Sequence, residues 1–501
     1  MKLKFTVEQN KGTEIVTDLF VIGLFKGDSQ PGGCFADMDQ ALDGVLSRFL
    51  EEEWTQGSKK AEVIYTLGQL PAKRVMVVNG GEKDEFDLSK ARELFGYVTK
   101  EALKLKVKKV TYCLSSFASH DDEEQASLAH ALAEASVLAS YRFDTYKTRE
   151  EDAQPSVEHV SVCVLEGREE VEQGLKTGQI YAEGTCMARD LVNTPGNYLT
   201  PSKLAEKAVE IASKHGFEYD ILDRDQMEEL GMGALLAVAQ GSDQPPKMIV
   251  IKYQGKEKWE DVLAFVGKGL TFDTGGISLK PSKDMHEMKM DMGGAAAVLG
   301  AMEVIGRLKP KCNVLAVIPS TENMPSGRAL KPGDVITSYD GKTIEVRNTD
   351  AEGRLILADG IAYAKTLGAD YIVDLATLTG AILIALGDCT TGAVSNDEEL
   401  MIDVLEAATE AGELVWRLPS YEPYKKMVRS SDVADLNNAP GRLAGSITAG
   451  LFLGEFAGDT PWVHLDIAGT AWSSREDELT RKGGTGVMVR TLATLAERFA
   501  E

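Results

Sequence analysis

The segment "NTDAEGRL" at residues 348–355 sets Asp350, Glu352 and Arg354 at alternate positions just before an apolar run. Similar charges stand at the ends of other apolar runs. Lys268 closes "VLAFVGKG", Asp273 precedes a glycine pair in "TFDTGG", Lys280 lies in "SLKPSKD" and Asp291 in "KMDMGGAAA". In an open α/β sheet, groups of this kind gather in the crevice beyond the carboxyl ends of the strands. Carboxylates crowded into one crevice repel strongly unless cations sit between them. Two divalent ions balance the charge formally, and a carboxylate shared by both fixes their separation at about 3.5–4 Å. A lysine ligand in that setting is neutral, because neighbouring cations and desolvation depress its pKa.

Each residue also has a purely structural account. Thr349 three residues before Glu352 fits a capping box at a helix start. Asp273 fits a turn, Asp291 a first-turn helix charge, and a single lysine at a strand end a solvated charge. The convergence of all of them favours the metal reading. The histidines, His120, His130, His159, His215, His286 and His464, have no HxxxH spacing and read as structural or exposed.

The elements that position these residues alternate in type. Residues 19–25, 74–81 and 109–116 read as strands, and 89–106 and 121–143 as helices. This makes residues 1–150 an N-terminal α/β domain. The polar stretch 144–157, with its proline, opens a linker over 151–192 that continues as the strand "VSVCVLE" and a helix from about Glu169 to Leu191. Residues 193–501 form the larger domain. In it, 247–255, 262–269, 313–320 and 371–380 read as strands and 293–308 as a glycine- and alanine-rich helix. Residues 335–346 carry an Asp-Gly hairpin turn. The expected fold class is α/β, with two domains.

A length of 501 residues exceeds one ordinary core. A net charge of −24 works against nonspecific binding to nucleic acid or anionic membrane, without excluding a local basic patch. No stretch supplies the roughly 18 apolar residues of a membrane helix. The charged N-terminus lacks a signal-peptide core. Six scattered cysteines without a CxxC pair point to reduced thiols and a cytoplasmic protein.

The segments "VGKGLTFDTGGISLKP", "MKMDMGGAA", "NTDAEGRLILAD" and "DLATLTGA" resemble the leucyl aminopeptidase (cytosol aminopeptidase) family, of bacterial type, and "NTPGNYLTP", "SDVADLNN" and "HLDIAGTAW" fit it too. Gly196 stands where many relatives carry a second proline. The resemblance is close over about residues 165–501 and architectural before that. It implies a smaller, macro-domain-like N-terminal domain for assembly and gating, and a catalytic domain with a mixed sheet flanked by helices. It implies a peptidase that removes leucine and other apolar residues from peptide N-termini in intracellular peptide turnover, using two divalent ions per subunit (Mn2+ or Zn2+). By resemblance Lys268, Asp273, Asp291, Asp350 and Glu352 are the metal ligands, with Asp273 and Glu352 shared. Lys280 and Arg354 are the catalytic pair, with bicarbonate at Arg354. Met288, Thr377 and Gly380 line the pocket for the first side chain, and the assembly is a homohexamer. The rival expectations are a two-metal hydrolase of another class, such as a phosphoesterase, and an additional DNA-binding role.

Overall fold

The computed structural model describes residues 3–27, 32–52, 60–117, 121–148, 156–164 and 167–500. They fall into two compact units, Met1–Glu183 with Glu476–Arg481 and Gly184–Arg475 with Lys482–Glu501. Residues 151–155 and 165–166 of the expected linker, and His120, lie outside the described residues.

In the first unit, strands β1 (Lys4–Glu8), β2 (Leu19–Leu24), β3 (Ala61–Tyr65), β4 (Arg74–Asn79), β5 (Lys109–Cys113) and β6 (His159–Cys163) form one sheet. Their order is β1-β6-β5-β2-β4-β3, and only β3 runs antiparallel to its neighbour. All six residues of "LFVIGL" in β2 are buried, the pattern of a parallel strand covered on both faces. Phe95 and Val98 of helix Leu88–Lys104 and Leu132 of helix Asp122–Ser140 pack into the core on one face. Phe35 and Met38 of helix Gly33–Ala41 pack into that on the other. The strand expected in the linker is β6, which sits between β1 and β5 inside this sheet. Its alternating valines fill a slot that only long-range pairing reveals. The helix expected from Glu169 to Leu191 spans Arg168–Asn193.

In the second unit the strands are β7 (Glu218–Leu222), β8 (Lys247–Gln254), β9 (Val262–Gly267), β10 (Gly269–Asp273), β11 (Asn313–Asn323), β12 (Val335–Thr337), β13 (Thr343–Glu345), β14 (Tyr371–Ala376), β15 (Thr391–Ser395), β16 (Val415–Arg417), β17 (Leu436–Asn437) and β18 (Trp462–Asp466). The central sheet runs β16-β15-β18-β14-β9-β11-β8-β7, with β10 paired to β11 alone. Strands β18, β14, β9 and β11 are mutually parallel, while β15 and β8 reverse direction, so the sheet is mixed. The Asp-Gly turn joins β12 to β13 as an antiparallel pair, and β17 adds to β13.

One break in this sheet positions the site. β9 is paired on both sides, to β11 and β14. After Gly267 the chain continues as β10 beside β11 only, so the sheet splits and Lys268 stands at the fork. Its N–H still bonds to the Leu375 carbonyl at 2.9 Å, while its own carbonyl accepts from Ala295 N at 3.0 Å. Helix Gly293–Leu308 can begin that close because of its small residues. A Cβ on Gly294 would overlap the Leu375 carbonyl, and a Cβ on Gly267 would lie 2.8 Å from the Ala295 Cα. No described helix is long and apolar enough to cross a membrane. Cys34, Cys113, Cys163, Cys312 and Cys389 are free thiols.

Candidate metal centre

Five backbone segments meet at the fork. The first carries Lys268. The second is the loop after β10, where Asp273-Thr274-Gly275-Gly276 turns with φ of 87° at Gly275 and 66° at Gly276. The left-handed backbone at both positions is open to glycine at little steric cost. The third is the 3-10 helix Met285–Met292, which carries Asp291 next to its last residue. The fourth is the turn before helix Gly353–Thr366, bearing Asp350 and Glu352, and the fifth is the loop after β14, bearing Thr377.

Lys268, 2% exposed, directs Nζ to Asp291 Oδ1 at 2.8 Å and Oδ2 at 2.7 Å, Glu352 Oε1 at 3.1 Å and the Thr377 carbonyl at 3.0 Å. Lys280 Nζ reaches Asp273 Oδ2 at 2.7 Å and Asp350 Oδ1 at 2.5 Å. One carboxylate oxygen each of Asp273, Asp350 and Glu352 lies within 4.8 Å of the others. The structure therefore brings Lys268, Asp273, Lys280, Asp291, Asp350 and Glu352 into one cluster.

Arg354 is buried at the first turn of the helix, where its Nη1 donates to the Asn438 carbonyl at 2.5 Å. Its Nε has no hydrogen-bond partner among the described residues. Thr377 adjoins the cluster, donating from Oγ1 to Asp291 Oδ1 at 2.6 Å. Met288 is half-buried one turn before Asp291, and Gly380 is exposed at the start of helix Gly380–Leu386 with open space at its Cβ position. No hydrogen bond or ion pair among the described residues ties either of these two to the cluster.

Burial and mutual repulsion govern the electrostatics. Burial, reinforced by Asp273 and opposed by Lys268, raises the Glu352 carboxyl to about 8 and that of Asp291 to about 6. Asp350 is also raised, again chiefly by burial. Burial alone would depress Lys268 and Lys280, but the surrounding carboxylates hold both ammoniums above the ordinary lysine value. Burial brings Arg354 down to about 10. The carboxylates around Lys268 thus hold it as an ammonium.

Asp291 Oδ2 and Asp350 Oδ1 meet lysine nitrogens but have no hydrogen bond of regular geometry among the described residues. Buried oxygens of this kind, with one amine among them, fit a divalent cation of hard or borderline character.

The expected capping box does not form. Thr349 Oγ1 donates to the Gly275 carbonyl at 2.7 Å and accepts from Ser278 N at 2.8 Å. Glu352, itself the N-cap of helix Gly353–Thr366, caps nothing with its side chain, which points at Lys268 instead. A buried ion pair wins over a local cap. The histidines behave structurally where they are buried: His464 bonds Asp374 at 2.6 Å and His215 bonds Glu303 at 2.8 Å.

The sequence reading missed Asn323, Asn438 and Asp466. Asn323 ends β11 and donates to Asp273, Thr349 and Glu352. Asp466 ends β18 and accepts from Thr379 Oγ1 at 2.6 Å and from Leu378 N at 3.2 Å. The available signal was a polar residue closing an apolar strand, as in "NVLAVIPSTEN" and "WVHLD".

Acids, lysines and a guanidinium buried around one fork mark the second unit as the module of an enzyme. Residues 186–493 match the catalytic domain of the cytosol aminopeptidase family, and residues 21–150 match its N-terminal domain. The chain is 51% identical to a probable cytosol aminopeptidase of Bacillus subtilis (strain 168), over 99% of this chain and 98% of that one. A solved mutant of tomato leucine aminopeptidase superposes with a TM-score of 0.89 at 35% identity, covering 99% of this chain and 97% of that one. The bottromycin maturation enzyme BotP in complex with Mn gives 0.84 at 33% identity, covering 97% and 100%. The protein belongs to the cytosol aminopeptidase family and is a peptidase.

Proposed function

We propose that the protein is a two-metal aminopeptidase acting at the fork between β10 and β14. The observation that carries this reading is the cluster itself: Asp273, Asp350 and Glu352 converge within 4.8 Å, and Lys268 and Asp291 close its buried side. Lys268, Asp273, Asp291, Asp350 and Glu352 would hold the cations. Oxygen donors plus one amine accept Mn2+ or Zn2+, and the manganese in the BotP complex supports the former. Such a pair of cations supplies Lewis acidity and a water ionised near neutral pH.

The chain's own residues do the rest. Lys280, an ammonium held at the mouth of the cluster by Asp273 and Asp350, donates a hydrogen bond to the oxyanion that develops on the scissile carbonyl. Arg354, with Nε unengaged, holds a small planar anion such as bicarbonate. Met288, Thr377 and Gly380 line the recess for the first side chain and favour leucine and other apolar residues. Residues 193–501 act as the catalytic domain and residues 1–150, whose sheet β6 completes, in assembly and gating. A homohexamer and a cytoplasmic role in peptide turnover complete the reading; the hexamer rests on family resemblance alone.

The test compares hydrolysis of a leucyl peptide with that of its N-acetylated form, before and after chelation and restoration of metal. Cleavage of the free peptide alone, lost on chelation and regained with metal, supports the reading. Equal cleavage of both, persistence after chelation, or hydrolysis of a phosphate ester instead would overturn it.

A further inference from the structure

Asn323 is the last residue of β11 and is 5% exposed. Its side-chain Nδ2 lies 2.8 Å from Asp273 Oδ1, 3.3 Å from Glu352 Oε2 and 3.1 Å from the Thr349 carbonyl. Its main-chain carbonyl accepts from Thr274 N at 3.0 Å and from Thr274 Oγ1 at 2.8 Å. One residue thus stitches the loop carrying Asp273 to the turn carrying Asp350 and Glu352. Asp273 Oδ1 also accepts from Gly275 N at 2.8 Å, so two N–H donors occupy that oxygen. Oδ2 is left to face the cluster, where it meets Lys280.

We propose that Asn323 is a positioning residue that orients the two shared carboxylates, Asp273 and Glu352, so that both cation sites are set by one neutral donor. The chemistry favours an amide here. A lysine or arginine would add positive charge that competes with the cations, whereas a carboxylate would add a further repelling acid. The amide donates at any working pH and carries no charge. A side chain that holds a ligand from behind typically changes metal affinity by about 10–100-fold when it is removed.

The inference rests on the two-metal reading above. It is tested on metal-stripped full-length protein by calorimetric titration with Mn2+, and by the visible absorption spectrum on titration with Co2+. Asn323→Leu removes the donor while keeping the branch at Cγ, and Asn323→Ser leaves one rotating hydroxyl. The wild type is expected to bind two ions per chain. Asn323→Leu should weaken both steps by at least about tenfold, with Asn323→Ser in between. The Co2+ spectrum should shift in the variants even at saturating metal, a change that loss of fold stability alone does not produce. If the wild type binds no ions, the metal reading and this inference fall together. If the wild type binds two ions and either variant overlays it in affinity and spectrum, Asn323 has no positioning role and only this inference falls.

Discussion

Loading the metal-stripped protein with divalent cations at neutral pH should release more than one proton per chain, with any proton given up by a bound water adding to those of the side chains. The stoichiometry follows from the cluster. As a ligand, Lys268 would lend its lone pair to a cation; Asp291, Glu352 and Asp273 hold it as an ammonium, so it would give up one proton. Burial and the neighbouring Asp273 raise the Glu352 carboxyl, so it keeps a share of its proton until a cation takes that place. Asp291 is raised less and adds a smaller share. Titration calorimetry in buffers of different ionisation heat measures the sum directly as the slope of observed heat against buffer heat. In a more alkaline buffer Glu352 is already ionised, and the slope should fall by its share. Lys268→Met should remove the share of the lysine.

The sign extends to stability. A carboxyl raised above its unfolded value stabilises the fold at low pH, and that contribution is lost as pH rises through the raised value. The metal-stripped protein should therefore lose stability between about pH 5 and 8 on account of Glu352, and bound metal should flatten the trend. A slope near zero at neutral pH would refute the reasoning, because Lys268 would then have kept its proton and Glu352 would already have been ionised.

Asp350→Ala should abolish peptide hydrolysis, and wild-type rates in that variant would remove Asp350 from the site. Arg354→Ala should lower kcat by about 100-fold or more while elemental analysis still finds both ions, since its guanidinium touches no carboxylate of the cluster. Loss of metal in that variant would assign Arg354 a different role. Gly353→Ala places a Cβ 2.5 Å from Lys268 Cε, so it should leave the circular dichroism unchanged and weaken metal binding by about tenfold or more. Away from the site, burial would raise the Glu303 carboxyl, but hydrogen bonds from Lys214 at 2.5 Å and His215 at 2.8 Å hold it below its ordinary value. Its stabilisation is then present above about pH 4.5 and lost as pH falls through the depressed value. Glu303→Gln should cost about 1–2 kcal/mol in urea denaturation at neutral pH, and should match the wild type at low pH.

What was legible in the sequence was local. Helix Gly293–Leu308 and the Asp-Gly turn have the bounds that their residue patterns set, because helix periodicity and turn chemistry act over a few neighbours. The charged residues beside apolar runs were equally visible, since each stands out in its own few neighbours, although each taken singly also had a structural account. What stayed hidden depends on pairing at long range. β6 reads as a lone strand until its register with β1 and β5 is known. Asn323 is an ordinary strand-ending amide until the chain brings residue 273 and residue 352 to either side of it. The capping box failed for the same reason: Thr349 and Glu352 have local partners available, but Gly275 and Lys268 arrive from far along the chain and take them.

That competition explains why the site stands where the sheet splits. A buried acid is tolerated only when its oxygens find donors or cations. Along an intact parallel sheet the backbone groups are already paired and have nothing to offer a side chain. At the fork, β14 and β10 diverge after Lys268, and the strand ends release backbone groups such as the Thr377 carbonyl and Gly275 N to side chains. The small residues Gly267, Gly294 and Gly353 then let helix starts and strand ends close in to side-chain reach of Lys268. A carboxylate moved one turn down any of these helices would leave the region where donors are free. It would have to neutralise itself by protonation, and the protonated acid is a poor ligand. Tight backbone packing and dense charge are therefore one arrangement: the glycines create the space in which so many acids can be held together.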